Sequence, residues 1–425
     1  MRKKLSAPPM GWNSFDCFGW SVTEEEFIEN VNYMAEHLAD YGWEYAVVDF
    51  CWYTPGKNSE PNPNQNDQFI PYLNMDEYGR LIPDPVRFPS SADGKGFKPL
   101  ADYVHSKGLK FGIHIMRGIP KQAAAKKTQI KGTSFTADSV ADTEDICPWL
   151  NYMYGVDMTK EGSQEYLDSL FELYDEWNVD FVKIDDLSYP YHDREIEGYS
   201  KAISKTKREI VFSTSPGATD LNFGNHISKY ADMWRISPDF WDDWSYLYRN
   251  FELLRNWSVY RTEGCYPDGD MIPFGKLSKR GPMKEERYSN FTLDEQKTLM
   301  SLWCLSQSPL MYGGNMVENT QQELDLMTNR ELLAISQNSC RNREIFFEEG
   351  LSVWYAEDRD GKYAYLGFFN TNDQAVSRSY YLSQAGLKAD TLYDIWSGEE
   401  QTAESNTVVV ALKPHACQVY RVELK

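Results

Sequence analysis

The residues of this sequence best suited to chemistry stand at the ends of short apolar runs. The clearest case is Val179-Asp180-Phe181-Val182-Lys183-Ile184-Asp185-Asp186, a buried-strand pattern that closes in a lysine and two carboxylates. Unpaired buried charge is costly, so such groups are either paired or put to use. Side chains alternate along a strand, which turns Lys183 and Asp185 to one side and Asp186 to the other. Asp186 is then expected to cap the helix that follows. Comparable tips are Asp49 in 43–50, His114 in 109–115, Arg235 in 232–236 with Asp239 beyond it, and Asp268 and Asp270 after Pro267. Glycoside hydrolysis needs two such carboxyls, one to protonate the leaving oxygen and one to attack the anomeric carbon or activate water. Asp185 and Asp239 are the candidate pair. Lys183 beside Asp185 holds it ionised at neutral pH, as a nucleophile requires.

The elements that would position these residues alternate between apolar strands and helices from the N-terminus to about residue 340. Strands are expected over 9–15, 43–50, 109–115, 179–186, 209–213, 232–236, 258–263 and 309–312. Helices are expected over 23–40, 97–107, 161–177 and 293–307, the first opened by a Thr23/Glu26 capping box. Two long segments, 54–89 and 119–158, interrupt the rhythm, as functional loops do. Eight strands with polar ends predict an α/β fold, a (β/α)₈ TIM barrel with its site at the C-terminal rim. A doubly wound sheet is the alternative, but no Gly-rich phosphate loop follows the first strand. After residue 340 the texture changes to short strands at 353–355, 363–370, 379–382, 392–396 and 407–410. Residues 1–340 are read as the barrel, and 341–425 as a C-terminal antiparallel β-sandwich domain.

Composition narrows the partners. A formal charge of −21 disfavours nucleic acid and anionic membranes. No apolar run is long enough to insert in a membrane. The basic start lacks the apolar middle of a signal peptide, which suits either a cytoplasmic protein or an exported one whose leader is gone. The seven cysteines are scattered without a C-x-x-C pair, and no H-E-x-x-H occurs. Neither a disulfide framework, nor a metal, nor a cofactor is expected. An aromatic share of 15% supplies sugar-stacking faces as well as core, and Trp241 and Trp244 flank Asp239.

Taken in order, several motifs together resemble glycoside hydrolase family 27, which holds α-galactosidases and α-N-acetylgalactosaminidases. They are Pro9-Met10-Gly11-Trp12-Asn13-Ser14, Asp49 with Cys51-Trp52, Gly108-Leu109-Lys110-Phe111-Gly112-Ile113 and Val182-Lys183-Ile184-Asp185. Arg235-Ile236-Ser237-Pro238-Asp239, Pro267-Asp268-Gly269-Asp270-Met271 and Ser308-Pro309-Leu310-Met311 complete the set. The resemblance implies a retaining exo-glycosidase acting on terminal α-linked galactose or N-acetylgalactosamine, with Asp185 as nucleophile and Asp239 as acid/base. It also implies that Asp49 and Lys183 hold sugar hydroxyls and that Arg235 reaches those near C2 and C3. Trp52, His114 and Asp268 are further expected substrate-binding positions.

The chain departs from the family where the sugar is chosen. Phe50 stands where galactosidases of the family commonly have a second aspartate, and Phe15 replaces the usual Trp. Met116-Arg117 replaces an Asp-containing turn, and Leu187 replaces a disulfide cysteine. An apolar residue at 50 favours a pentopyranose without C6, so a β-L-arabinopyranosidase is the alternative. Ser215 and Ala218 resemble the small-residue pattern that leaves room at C2 in the N-acetylgalactosaminidases. A non-catalytic sugar-binding protein is the alternative of another class.

Overall fold

The strand that ends in Asp185 forms as its pattern requires, with Phe181, Val182 and Ile184 buried and Lys183 and Asp185 left half-buried at the tip. It is the fourth of eight such strands in the computed structural model, which describes residues 4–56, 69–281, 283 and 285–424. These strands are β1 (Met10–Asn13), β2 (Tyr45–Val48), β3 (Lys110–Met116) and β4 (Phe181–Asp185). β5 (Val211–Thr214), β6 (Met233–Arg235), β7 (Tyr266–Asp268) and β8 (Leu310–Tyr312) follow. All pair in parallel, in the order β7-β6-β5-β4-β3-β2-β1-β8. The two edges meet through Ile272, whose N–H donates to Met311 O at 2.7 Å and whose carbonyl accepts from Gly313 N–H at 3.0 Å.

The seventh strand lies at 266–268 and not at 258–263, where the chain is finishing a helix and turning. Pro267 sits in its middle, with no N–H to offer, and pairs only toward β6. The task of closing toward β8 passes to Ile272.

The helices that separate and follow the strands include α1 (Glu24–His37), α2 (Lys98–Ser106), α3 (Ser163–Glu176), α4 (Asp193–Ile203), α5 (Gly224–Tyr230), α6 (Trp244–Trp257), α7 (Leu293–Ser306) and α8 (Arg330–Asn338). The capping box of α1 is present, with Glu26 N–H donating to Thr23 Oγ1 at 3.4 Å and Thr23 N–H to Glu26 Oε2 at 3.1 Å. The 119–158 segment folds into a small sheet of Ile119–Pro120, Ala141–Ile146 and Met153–Val156. Part of the 54–89 loop lies outside the described residues.

The C-terminal region holds β9 (Ser339–Glu348), β10 (Leu351–Asp358), β11 (Tyr363–Asn370), β12 (Val376–Tyr381), β13 (Thr391–Asp394), β14 (Glu400–Thr402), β15 (Thr407–Leu412) and β16 (Cys417–Glu423). Six of them form an antiparallel sheet, β9-β10-β11-β16-β13-β14, and β12 pairs with β15 opposite. Val353, Leu366, Phe368, Val408, Val410 and Tyr420 fill the space between. This sandwich rests on α7, where Thr298 Oγ1 donates to His415 O at 2.7 Å. Trp244 stacks on the His415 ring at 3.7 Å, so that tryptophan belongs to the seam between the two regions and not to a sugar site.

Candidate active site

The C-terminal ends of the barrel strands surround a cavity of about 490 Å³. Part of its lining is charged. Asp49, just past β2, is fixed by Asn13 and Ser14 from the end of β1: Asn13 Nδ2 donates to Asp49 Oδ2 at 2.6 Å, and Asp49 N–H donates to Ser14 Oγ at 3.0 Å. Lys183 Nζ lies 3.0 Å from the same Oδ2. Burial alone would push the Asp49 carboxyl up, but the charges of Lys183 and His114 and the hydrogen bonds from Phe50 N–H and Asn13 bring it down to about 2.

Asp185 is held by three donors. His114 Nε2 stands 3.1 Å from its Oδ2, while Ser215 Oγ at 2.9 Å and Asp186 N–H at 3.1 Å donate to its Oδ1. Burial works against the charged form here too. The His114 hydrogen bond, the His114 charge and Lys183 outweigh it, leaving Asp185 below the usual carboxylate range. Further round the barrel, Arg235 Nη2 is 2.6 Å from Asp270 Oδ2 and 3.3 Å from Asp239 Oδ1. Asp239 stands at the mouth with 67% of its side chain exposed.

Much of the remaining lining is aromatic. Phe15 meets Phe50 edge-on at 6.2 Å, and Phe50 meets Trp149 at 5.9 Å. Trp20, Leu150, Phe240, Trp241 and Met271 continue this lining. Trp149 and Leu150 come from the turn between Ala141–Ile146 and Met153–Val156. That hairpin is tied to β4 by Arg117, at the end of β3, whose guanidinium reaches Asp145 at 2.7 Å, Glu195 at 2.7 Å and Asp186 at 2.8 Å. Burial pushes Asp186 up to about 6 and Glu195 up to about 7 against the pull of Arg117. Asp145, His192 and Glu195 bring ligand atoms within 4.8 Å of one another, as a cation site would. The Arg117 guanidinium already bonds two of the three.

Comparison with known proteins assigns this architecture. A family model described as α-galactosidase A matches residues 7–144 and 153–338, and one for the α-galactosidase C-terminal β-sandwich domain matches 348–422. The chain belongs to glycoside hydrolase family 27. Membership sets it among glycosidases and apart from non-catalytic sugar-binding proteins. The fold is that of the family 27 β-L-arabinopyranosidase of Geobacillus stearothermophilus, which has also been solved with arabinose bound. The two are 44% identical over 98% of this chain and 96% of the other, with a TM-score of 0.93. A Bacillus halodurans C-125 protein provisionally named an α-N-acetylgalactosaminidase is 45% identical over 98% of this chain and 97% of the other, with a TM-score of 0.88. The rice α-galactosidase is 24% identical over 97% of this chain and 84% of its own length.

Of the positions expected in a family 27 site, Phe15, Asp49, Phe50, Lys183, Asp185, Ser215, Arg235 and Asp239 do line the cavity. Trp52 does not. Cys51 takes a left-handed backbone, φ 59°, and the chain turns the indole away into the helix layer. There Trp52 packs edge-on against Tyr53, Phe97 and Trp177, and its Nε1 donates to His114 O at 2.5 Å. His114 stays behind Asp185 and Phe50 and does not itself line the cavity. Asp268 is buried, its Oδ1 accepting from Asp270 N–H at 2.9 Å, and Asp270 is the residue that faces the cavity. Asp186 caps no helix: its left-handed backbone, φ 61°, directs the carboxylate to Arg117. Ser215 spends its hydroxyl on Asp185, and Pro216 and Gly217, not Ala218, form the neighbouring lining. Asp242, near Asp239 in sequence, is buried against Arg287, and Asp243 caps α6. All seven cysteines are free thiols.

Asp16, Trp20, Trp149 and Leu150 are lining residues that the sequence reading passed over. Asp16 was hidden because a strand was expected through Phe15, where the chain instead makes a helical turn, Phe15–Phe18.

Proposed function

We propose that this family 27 enzyme is a retaining exo-glycosidase that favours β-L-arabinopyranosides over α-D-galactosides. Asp185 is its nucleophile and Asp239 its acid/base. The observation that carries the sugar preference is Phe50. It sits next to Asp49, packed between His114 at 5.3 Å and Trp149 at 5.9 Å, and offers no polar atom. L-Arabinopyranose has the ring stereochemistry of galactose without the hydroxymethyl group. A hydroxymethyl set against this wall would leave a buried hydroxyl unpaired, at a cost of about 1–3 kcal/mol. A solved relative 44% identical to this chain is named a β-L-arabinopyranosidase, which supports the same reading.

In this mechanism Asp185, kept ionised by His114, Lys183 and Ser215, attacks the anomeric carbon and forms a glycosyl-enzyme. Asp239, at the open mouth where the leaving group departs, gives it a proton and then takes one from the incoming water. Asp49 and Lys183, locked to each other, present fixed partners to ring hydroxyls. Hydrolysis of aryl β-L-arabinopyranoside, α-D-galactopyranoside and α-N-acetylgalactosaminide, with the first-formed anomer followed by proton NMR, tests the reading. The arabinoside is expected to show the highest kcat/KM and its product to retain configuration. An inverted first product would remove the nucleophile role from Asp185.

A further inference from the structure

Five carboxyl groups line the cavity: Asp16, Asp49, Asp185, Asp239 and Asp270. Four of them are engaged. Asp49 holds Asn13 and Lys183, Asp185 holds His114 and Ser215, and Arg235 spans Asp239 and Asp270. Asp16 is different. It is 2% exposed, its Oδ2 is shut from solvent and takes no hydrogen bond, and it forms no ion pair among the described residues.

Nothing in the packing demands a carboxyl there. An apolar side chain of that size would fill the place without leaving a polar atom unsatisfied. The surroundings are nonetheless shaped around it. At the end of β8, position 313 is a glycine, and a Cβ there would lie 2.0 Å from Asp16 Oδ2. The backbone of Asp16 is also pinned, its carbonyl accepting from Ser278 N–H at 2.8 Å. The residue is therefore held still, with Oδ2 packed against Gly313 and the side chain forming part of the cavity lining.

We propose that Asp16 is a substrate-binding residue, the partner of one ring hydroxyl of the terminal sugar on the β1–β8 side of the cavity. The assignment rests on the reading of this cavity as the sugar site of a glycosidase. Burial and the nearby Asp270, Asp239 and Asp49 charges push the Asp16 carboxyl well above its ordinary value, against the pull of Lys183. A neutral carboxyl both donates and accepts, which matches a hydroxyl that does the same.

The test compares wild type, Asp16→Asn and Asp16→Leu on the aryl glycoside that wild type cleaves best and on its monodeoxy analogues. Thermal melting monitors folding, and Asp16→Ala stands in if the leucine variant does not fold. The amide, which also donates and accepts, should keep kcat/KM within about 5-fold, while leucine should lose about 30-fold or more. On the one deoxy analogue that lacks the bound hydroxyl, the leucine loss should shrink to within about 3-fold. A leucine variant with unchanged kcat/KM, or one equally impaired on every analogue, overturns the proposal. If wild type cleaves no glycoside, the glycosidase reading fails. The binding of free L-arabinose and D-galactose by calorimetry then decides Asp16 separately. Binding at least about tenfold weaker in Asp16→Leu than in Asp16→Asn supports the assignment, and equal binding refutes it.

Discussion

In the charged part of the cavity lining, Lys183 pairs with Asp49 at 3.0 Å and Arg235 with Asp270 at 2.6 Å, while His114 and Ser215 hold Asp185. In the aromatic part, Phe15, Phe50 and Trp149 meet ring to ring at 6.2 and 5.9 Å with no directional bond between them. The charged side is over-determined: each group has several partners, so a single change disturbs all of them. The aromatic rings are placed by packing, and two of them also touch charged neighbours: Phe50 meets His114 at 5.3 Å, and Lys183 stands 5.9 Å from the Phe15 ring. On the proposed reading, this division would let one catalytic apparatus serve different sugars. Damage to the first wall should appear as lost turnover and stability, and damage to the second as altered preference.

The largest effect is expected from Asp185→Ala, which should lower kcat by at least about 10⁴-fold while thermal melting shows a folded protein. Residual turnover within tenfold of wild type would place the nucleophile elsewhere. Arg117→Met should come next. It leaves Asp145, Asp186 and Glu195 without their shared cation and should cost about 3–5 kcal/mol in urea unfolding. The loss should grow with rising pH, because at low pH these carboxyls accept protons instead. A loss independent of pH would show that Arg117 acts through packing.

Asp49 supplies a third test, with a defined sign. Its carboxyl lies at about 2 in the folded protein, against about 3.9 in an unfolded chain. Its ionic stabilisation is complete above about pH 5 and fades as pH falls toward 2, for a total of roughly 2–3 kcal/mol. The stability gap between wild type and Asp49→Asn should therefore narrow from pH 6 to pH 3. A constant gap would contradict the Lys183 pairing. Ser215→Ala should be milder, lowering kcat about tenfold through loss of one hydrogen bond to Asp185, with KM nearly unchanged.

The charged side was also the more legible in the sequence. Lys183 and Asp185 at alternate positions of an apolar strand share a face by geometry alone, and Asp49 and Arg235 follow the same rule. The apolar runs of β2, β3 and β4 announced themselves likewise. β7 did not, since Tyr266-Pro267-Asp268 before a glycine looks like a turn. Nor did the placement of Trp52 or Asp186, each decided by one left-handed residue that no periodicity marks. Much of the aromatic side was hidden for another reason. Trp149 reaches the cavity on a hairpin inserted between β3 and β4, and only the tertiary fold shows that hairpin bending over Phe50. In the C-terminal sandwich β9 was missed because its first half, Arg341-Asn342-Arg343-Glu344, is polar, whereas β16 was missed although Val419, Tyr420 and Val422 suit a strand.

The measurement closest to the central claim is the ratio of kcat/KM for aryl β-L-arabinopyranoside over aryl α-D-galactopyranoside, taken on wild type and on Phe50→Asp. If the aromatic wall selects the sugar and the charged wall cleaves it, the ratio exceeds one in wild type. It should fall by about 10- to 100-fold in the variant, as the new carboxylate gives a C6 hydroxyl its missing partner. An unchanged ratio, with both activities reduced alike, would contradict the account.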